Sequence, residues 1–148
     1  MSKFHTVSAT GHRPDKLPGA YSDAAHQRLT AFAAEQLELL NPQRVVAGGA
    51  LGWDTAVAQA ALELGIPLLL AIPCEGQESR WPESSQARFR AIRARANFVH
   101  VVSPGAYSPA VMQLRNAYMV NVSDVVLAKY GTAHRPDKPM REAIRRRL

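Results

Sequence analysis

Two short segments combine residue types and spacing suited to holding a phosphate. The first is Gly48-Gly49-Ala50-Leu51-Gly52-Trp53-Asp54, where the apolar run Val45-Val46-Ala47 breaks into three glycines. Glycine lacks a Cβ, so the main chain there can take φ > 0 and approach a ligand closely. Residues 53–64 are rich in good helix formers and Gly65 supplies a C-terminal stop, so the glycines sit where a helix begins. The free N–H groups and positive dipole end of such a helix favour an anion by ~0.3–1 kcal/mol when exposed. The spacing is neither GxGxxG nor GxxxxGK[ST], so it claims neither a dinucleotide fold nor a P-loop. An ordinary tight strand-to-helix turn has the same composition, and the turn by itself does not separate the two readings.

The second segment is Thr10-Gly11-His12-Arg13-Pro14-Asp15-Lys16, which packs a hydroxyl, a glycine, an imidazole and a guanidinium into one turn. Arginine is suited to bidentate phosphate contacts. The pentapeptide His-Arg-Pro-Asp-Lys recurs at residues 134–138, again just beyond a glycine and a threonine, Gly131 and Thr132. The later copy reads more simply as a turn lead-in, whereas the earlier one has the glycine turn beside it. Farther along, Arg115, Asn116 and Met119 fall close together around one helix. Arg115 there needs a partner, because an unpaired buried charge is costly. Asp54 is the structural partner and a ligand phosphate the functional one.

These segments must be positioned by regular elements, and the pattern supplies them. Strands are expected at residues 4–10, 44–47, 66–72, 98–102 and 124–130. Helices are expected over 22–40, 53–64, 82–96 and 108–121, and a last short one carries Met140, Ile144 and Leu148. Pro67 belongs at the start of its strand. Alternating strands and helices imply a single α/β domain with a parallel sheet covered on both faces. Ligands of such sheets bind beyond the carboxyl ends of the strands. Residues 10–16, 48–54, 73–81, 103–108 and 130–138 are therefore expected along one edge.

Composition narrows the function classes. At 148 residues and 47% hydrophobic, the chain can bury one well-packed core. A single cysteine, Cys74, excludes an internal disulfide framework and cannot begin a zinc site. No membrane-spanning run or signal-peptide pattern is visible, so a cytoplasmic protein is expected. The net charge of +6 invites nucleic acid, yet Arg145-Arg146-Arg147 supply much of the excess. Aromatic content is only 7%, with no aromatic-plus-basic stripe of the kind that stacks single strands. Arg88, Arg90, Arg93 and Arg95 flank an apolar stripe of Phe89, Ile92 and Ala96 and read as a solvated rim.

Taken together, Thr10-Gly11-His12-Arg13-Pro14, residues 48–54, Tyr107-Ser108, Arg115-Asn116 with Met119-Val120, and Ser123-Asp124 resemble the YspA/YpsA-like branch of the SLOG superfamily. That Rossmann-like group includes DprA and the LOG cytokinin-activating enzymes. The resemblance runs in order from Thr10 to about Gly131. It implies a Rossmann-like three-layer sandwich with a five-stranded, mainly parallel sheet. It also implies a nucleotide or nucleotide-derived ligand, held by Thr10, Gly11, His12 and Arg13, by Gly48, Gly49, Ala50, Leu51, Gly52 and Asp54, by Arg115, Asn116 and Met119, and by Gly131 and Thr132. LOG enzymes carry a PGGxGTxxE signature with a catalytic glutamate, whereas Tyr130-Gly131-Thr132-Ala133-His134 has neither the paired glycines nor the glutamate. The branch's usual Gly-Gly-Thr is likewise shortened to Gly131-Thr132.

Three functions are thereby expected in order of weight. The first is binding or sensing of a nucleotide-like phosphate compound, with no cofactor and no metal. The second is cleavage of a nucleotide N-glycosidic bond, with Asp54, Glu75 or Glu78 as the carboxylate. The third is a DprA-like nucleic-acid-binding module. Apolar helical faces leave room for a homodimer interface, and Cys74 reads as a structural thiol because no histidine neighbours it.

Overall fold

The computed structural model describes residues 5–11 and 22–129, with only the backbone given at 10, 11, 128 and 129. Among the described residues nine elements follow one another as β1 (Thr6–Gly11), α1 (Asp23–Leu40), β2 (Arg44–Ala47), α2 (Trp53–Glu63), β3 (Leu68–Ile72), α3 (Glu83–Arg95), β4 (Phe98–Val101), α4 (Pro109–Asn121) and β5 (Val125–Lys129). The expected last helix at residues 140–148 lies outside the described residues.

Local chemistry sets the boundaries. Ser22 caps α1 by accepting from the N–H of Ala25, and Asn41 ends the helix in the left-handed region at φ 49°. Ser108 caps α4 by accepting from Val111 N–H, with Pro109 at the first helical position. Pro67 stays just ahead of β3, where it needs no ladder N–H and its carbonyl accepts from Val45 N–H.

The strand order is β4-β3-β2-β1-β5, with every neighbouring pair parallel. The first three crossovers step in one direction, so right-handed connections lay α1, α2 and α3 on one face. The fourth doubles back past β1 and lays α4 on the other, against β1 and β3. The result is a Rossmann-like three-layer sandwich with an all-parallel sheet.

Two apolar layers follow from the pleat, because alternate strand residues face opposite ways. Val45 and Ala47 join Val7, Leu37, Trp53, Val57 and Ala60 under α1 and α2. Val46 and Ala71 meet Met119 of α4 on the other face. Coverage stops short of the margin: β4 is an edge strand, with Phe98 70% and Val99 38% exposed. Covering of both faces thus holds for the three central strands and only in part for β4, where α4 reaches as far as His100, on which Tyr118 stacks with ring centroids 4.4 Å apart.

The first half of β1 is tied to the residues that lead into β5. Asp124 Oδ2 accepts from Thr6 N–H at 2.8 Å and from His5 N–H at 3.1 Å, while the Ser8 and Ser123 hydroxyls meet at 2.9 Å. These contacts set β5 beside β1 in a register that pairs Gly11 with Lys129. The chain reverses its winding between these two strands, so the switch point of the sheet lies at this pair.

Candidate functional site

The glycine turn lies between the end of β2 and the start of α2, on the carboxyl edge of the sheet. Gly49 has φ 73°, and Gly52, the residue before α2, has φ 88° with ψ −121°, a combination open essentially to glycine. Two carbonyls of the turn are engaged by α2. Ala50 O accepts from Thr55 N–H at 3.1 Å and from the Thr55 hydroxyl at 2.6 Å, and Gly52 O accepts from Ala56 N–H at 3.0 Å. Among the described residues, no hydrogen bond uses the N–H of Ala50, Leu51 or Gly52. Amides left over at a helix start are the groups that accept an anion. Behind the turn, Trp53 is fully buried, and its indole N–H donates to Leu127 O at 3.1 Å.

Arg115 braces this turn from the opposite layer. Its Nη1 donates to Gly48 O at 2.6 Å, its Nε donates to Asn116 Oδ1 at 2.9 Å, and its Nη2 lies 3.9 Å from Asp54 Oδ2. Arg115 is 3% exposed and Asp54 6%. A Cβ at Gly48 would fall 2.1 Å from Arg115 Nη1 and 2.9 Å from Asp54 Oδ2, so a side chain there would have to displace the buried guanidinium. Met119 packs into the core beneath β2 and β3 rather than at the edge.

Of the residues singled out from sequence, the structure brings together Gly48, Gly49, Ala50, Leu51, Gly52, Asp54, Arg115 and Asn116. Thr10 and Gly11 end β1, the strand beside β2. His12, Arg13, Gly131 and Thr132, both His-Arg-Pro-Asp-Lys copies and Arg145 to Arg147 lie outside the described residues.

Beside the turn opens a cleft of about 640 Å³, walled by Leu51, by the segment after β3 and by Ala106 and Tyr107 after β4. Cys74, Gln77, Arg80 and Trp81 line it. Sequence reasoning placed both loops on this edge and offered Glu75 or Glu78 of the first as a catalytic carboxylate, but assigned no residue of either loop to ligand binding. The available signal was an aromatic in each of two polar loops, Trp81 and Tyr107. Gln77 reaches back under the turn, its Nε2 3.3 Å from where a Gly49 Cβ would stand.

Each carboxylate expected to serve catalysis sits beside an arginine. Glu75 holds Arg93 through two bonds of 2.7 and 2.8 Å, which keep its carboxyl below the usual range. Glu78 is buried and pairs with Arg90 at 3.3 Å. Burial pushes the Cys74 thiol up, and Glu75 and Glu78 add to that, so the thiol stays protonated near neutrality. No group of three or more potential metal ligands occurs among the described residues. No described helix is long and apolar enough to cross a membrane.

Comparison with known proteins agrees with this architecture. The YspA SLOG family model matches residues 8–143, and the chain belongs to that family. A UPF0398 protein of Bacillus cereus (strain G9842) is 28% identical over 148 residues, covering 90% of this chain and 77% of the relative. A UPF0398 protein of Bacillus pumilus (strain SAFR-032) is 29% identical over 143 residues, covering 86% and 74%. Among solved structures, DNA processing protein A of Helicobacter pylori, studied for single-stranded DNA binding, superposes with a TM-score of 0.63 at 19% identity. That of Streptococcus pneumoniae superposes at 0.62 and 20%. Both share the fold over 97% and 98% of this chain, which spans 61% and 47% of their lengths.

Proposed function

We propose that this chain, acting as one SLOG-like domain, binds a nucleotide or nucleotide-derived phosphate ligand at the carboxyl edge of its sheet. The observation that carries the reading is the turn at residues 48–52, where the carbonyls of Gly48, Ala50 and Gly52 are bonded inward while, among the described residues, no hydrogen bond uses the amides of Ala50, Leu51 and Gly52. Gly48, Gly49, Ala50, Leu51 and Gly52 form the cradle. Asp54, Arg115 and Asn116 hold its shape, with Met119 packed below. Thr10 and Gly11, at the end of β1, belong to the proposed site together with His12, Arg13, Gly131 and Thr132, which lie outside the described residues.

A catalytic reading is less well supported. Asp54, Glu75 and Glu78 each sit against an arginine, and a carboxylate engaged in this way is not placed to exchange a proton with a substrate. Thermal-shift measurements against nucleoside monophosphates, cyclic nucleotides and ADP-ribose provide the test. A saturable rise in melting temperature, lost in Gly52→Ala, is expected. A folded protein that none of these phosphates stabilises would refute the reading, and release of free base from a monophosphate would replace it with the enzyme. Steeply salt-dependent binding to an oligonucleotide would favour the nucleic-acid module instead.

A further inference from the structure

The cleft beside the turn differs in chemistry from a phosphate cradle. Its charges are largely spoken for: Glu75 is bound by Arg93, and Arg80 is the cation on the lining. Trp81 and Tyr107 are its aromatic lining, and Trp81 is fixed edge-on against Phe89, with ring centroids 5.5 Å apart at 80°. Tyr107 is half exposed. At about 640 Å³ the space falls in the ordinary range for a small organic ligand.

Gln77 is the second, independent observation. Both its Nε2 and its Oε1 are buried without a hydrogen-bond partner among the described residues. A native fold rarely leaves a whole carboxamide unsatisfied, because each orphaned group carries the desolvation cost of burial. Gln77 lines the cleft and touches the underside of the turn at Gly49. A carboxamide offers one donor and one acceptor side by side, which matches a heterocycle carrying an adjacent acceptor and donor on its edge. Aromatic side chains nearby supply the faces on which such a ring stacks.

We infer that this cleft is the base-recognition subsite, in which a planar nucleobase stacks between Trp81 and Tyr107 and its hydrogen-bonding edge is read by the Gln77 carboxamide. The assignment rests on the nucleotide reading for the wider site and adds the ligand's second half. Phosphate lies at the amides of residues 50–52, the base lies over Leu51 toward β3 and β4, and the sugar bridges them. Gln77 turns its amide from under Gly49 into the cleft when the base enters.

The two tryptophans make the test direct. Trp53 is fully buried, so quenching of emission by a bound ring reports Trp81. Adenosine, guanosine, cytidine and uridine are titrated by fluorescence, with ribose 5-phosphate followed in parallel by thermal shift. At least one nucleoside is expected to quench saturably, and Trp81→Phe to remove the signal. Gln77→Leu is expected to weaken that nucleoside about tenfold or more while leaving ribose 5-phosphate unchanged. Gln77→Leu also removes the orphaned amide, so its melting temperature should hold or rise, which separates recognition from a fold defect. Nucleosides that fail to bind while ribose 5-phosphate does, or binding unaffected by both substitutions, would overturn the base subsite alone. Failure of ribose 5-phosphate and of the nucleotides would instead remove the phosphate reading.

Discussion

The guanidinium of Arg115 occupies the space that a side chain at Gly48 would need. Nη1 donates to the Gly48 carbonyl at 2.6 Å and would stand 2.1 Å from a Cβ on the same residue. The glycine is therefore dictated by a residue on the far side of the sheet, and not by its own backbone angles.

Gly48→Ala should consequently destabilise the fold by about 1–3 kcal/mol, the usual cost of overpacking. Arg115→Ala should be destabilising too, since Asp54 would lose its buried neighbour. Combined, the two should cost clearly less than their sum, because the alanine at 48 then fills the vacated space. Urea unfolding of the four proteins as a double-mutant cycle measures this coupling, and additive effects would contradict it.

Gly52→Ala tests a different constraint. At φ 88° and ψ −121° the penalty is conformational, about 1–3 kcal/mol, and should appear whatever the residue at 115. An unchanged unfolding midpoint in Gly52→Ala would show that the turn relaxes to ordinary angles.

His26 predicts a pH dependence of stability. Its pKa is lowered to about 4, first by burial and then by the nearby Arg88 guanidinium, with Asp23 opposing. The unfolded imidazole takes up its proton near pH 6.5, well before the folded one does. The unfolded state thus binds more protons between pH 6.5 and 4, and stability must fall as pH falls through that window. Melting temperatures of the wild type and His26→Gln, recorded across it, should diverge: the wild type loses more stability on acidification, and parallel curves would refute the assignment.

Cys74 should be a slow nucleophile. It is 1% exposed and its thiol is pushed up by burial, with Glu75 and Glu78 adding to the effect. Alkylation by iodoacetamide at pH 8, followed by mass spectrometry, should be at least about tenfold slower in the folded protein than in urea. Equal rates would mean that the thiol is open to the cleft.

How much of this was legible in the sequence differs from residue to residue. The five strands and four described helices follow from periodicity and caps such as Ser22 and Ser108, which act within a few residues. The glycine turn was legible for the same reason. Its bracing was legible only in part: Asp54 and Arg115 were paired by charge, but that Arg115 would bond Gly48 O depends on α4 lying on the opposite face from α2. Asp124, clamping the start of β1, and Gln77, reaching under Gly49, act across distances in the chain that no local pattern encodes. The exposure of Phe98 and Val99 likewise follows from the position of β4 in the strand order, which an apolar run does not reveal.

The indole bond from Trp53 to Leu127 also fixes a sequence in time. Trp53 opens the helix after the glycine turn, and the carbonyl it needs belongs to β5, 74 residues later. A nascent chain that has emerged only as far as α4 already contains the whole turn, yet its buried indole N–H has no acceptor there and β1 lacks one of its two neighbours. The turn acquires its final setting only when β5 docks, so a chain cut short before Leu127 would carry the cradle's residues without its anchor.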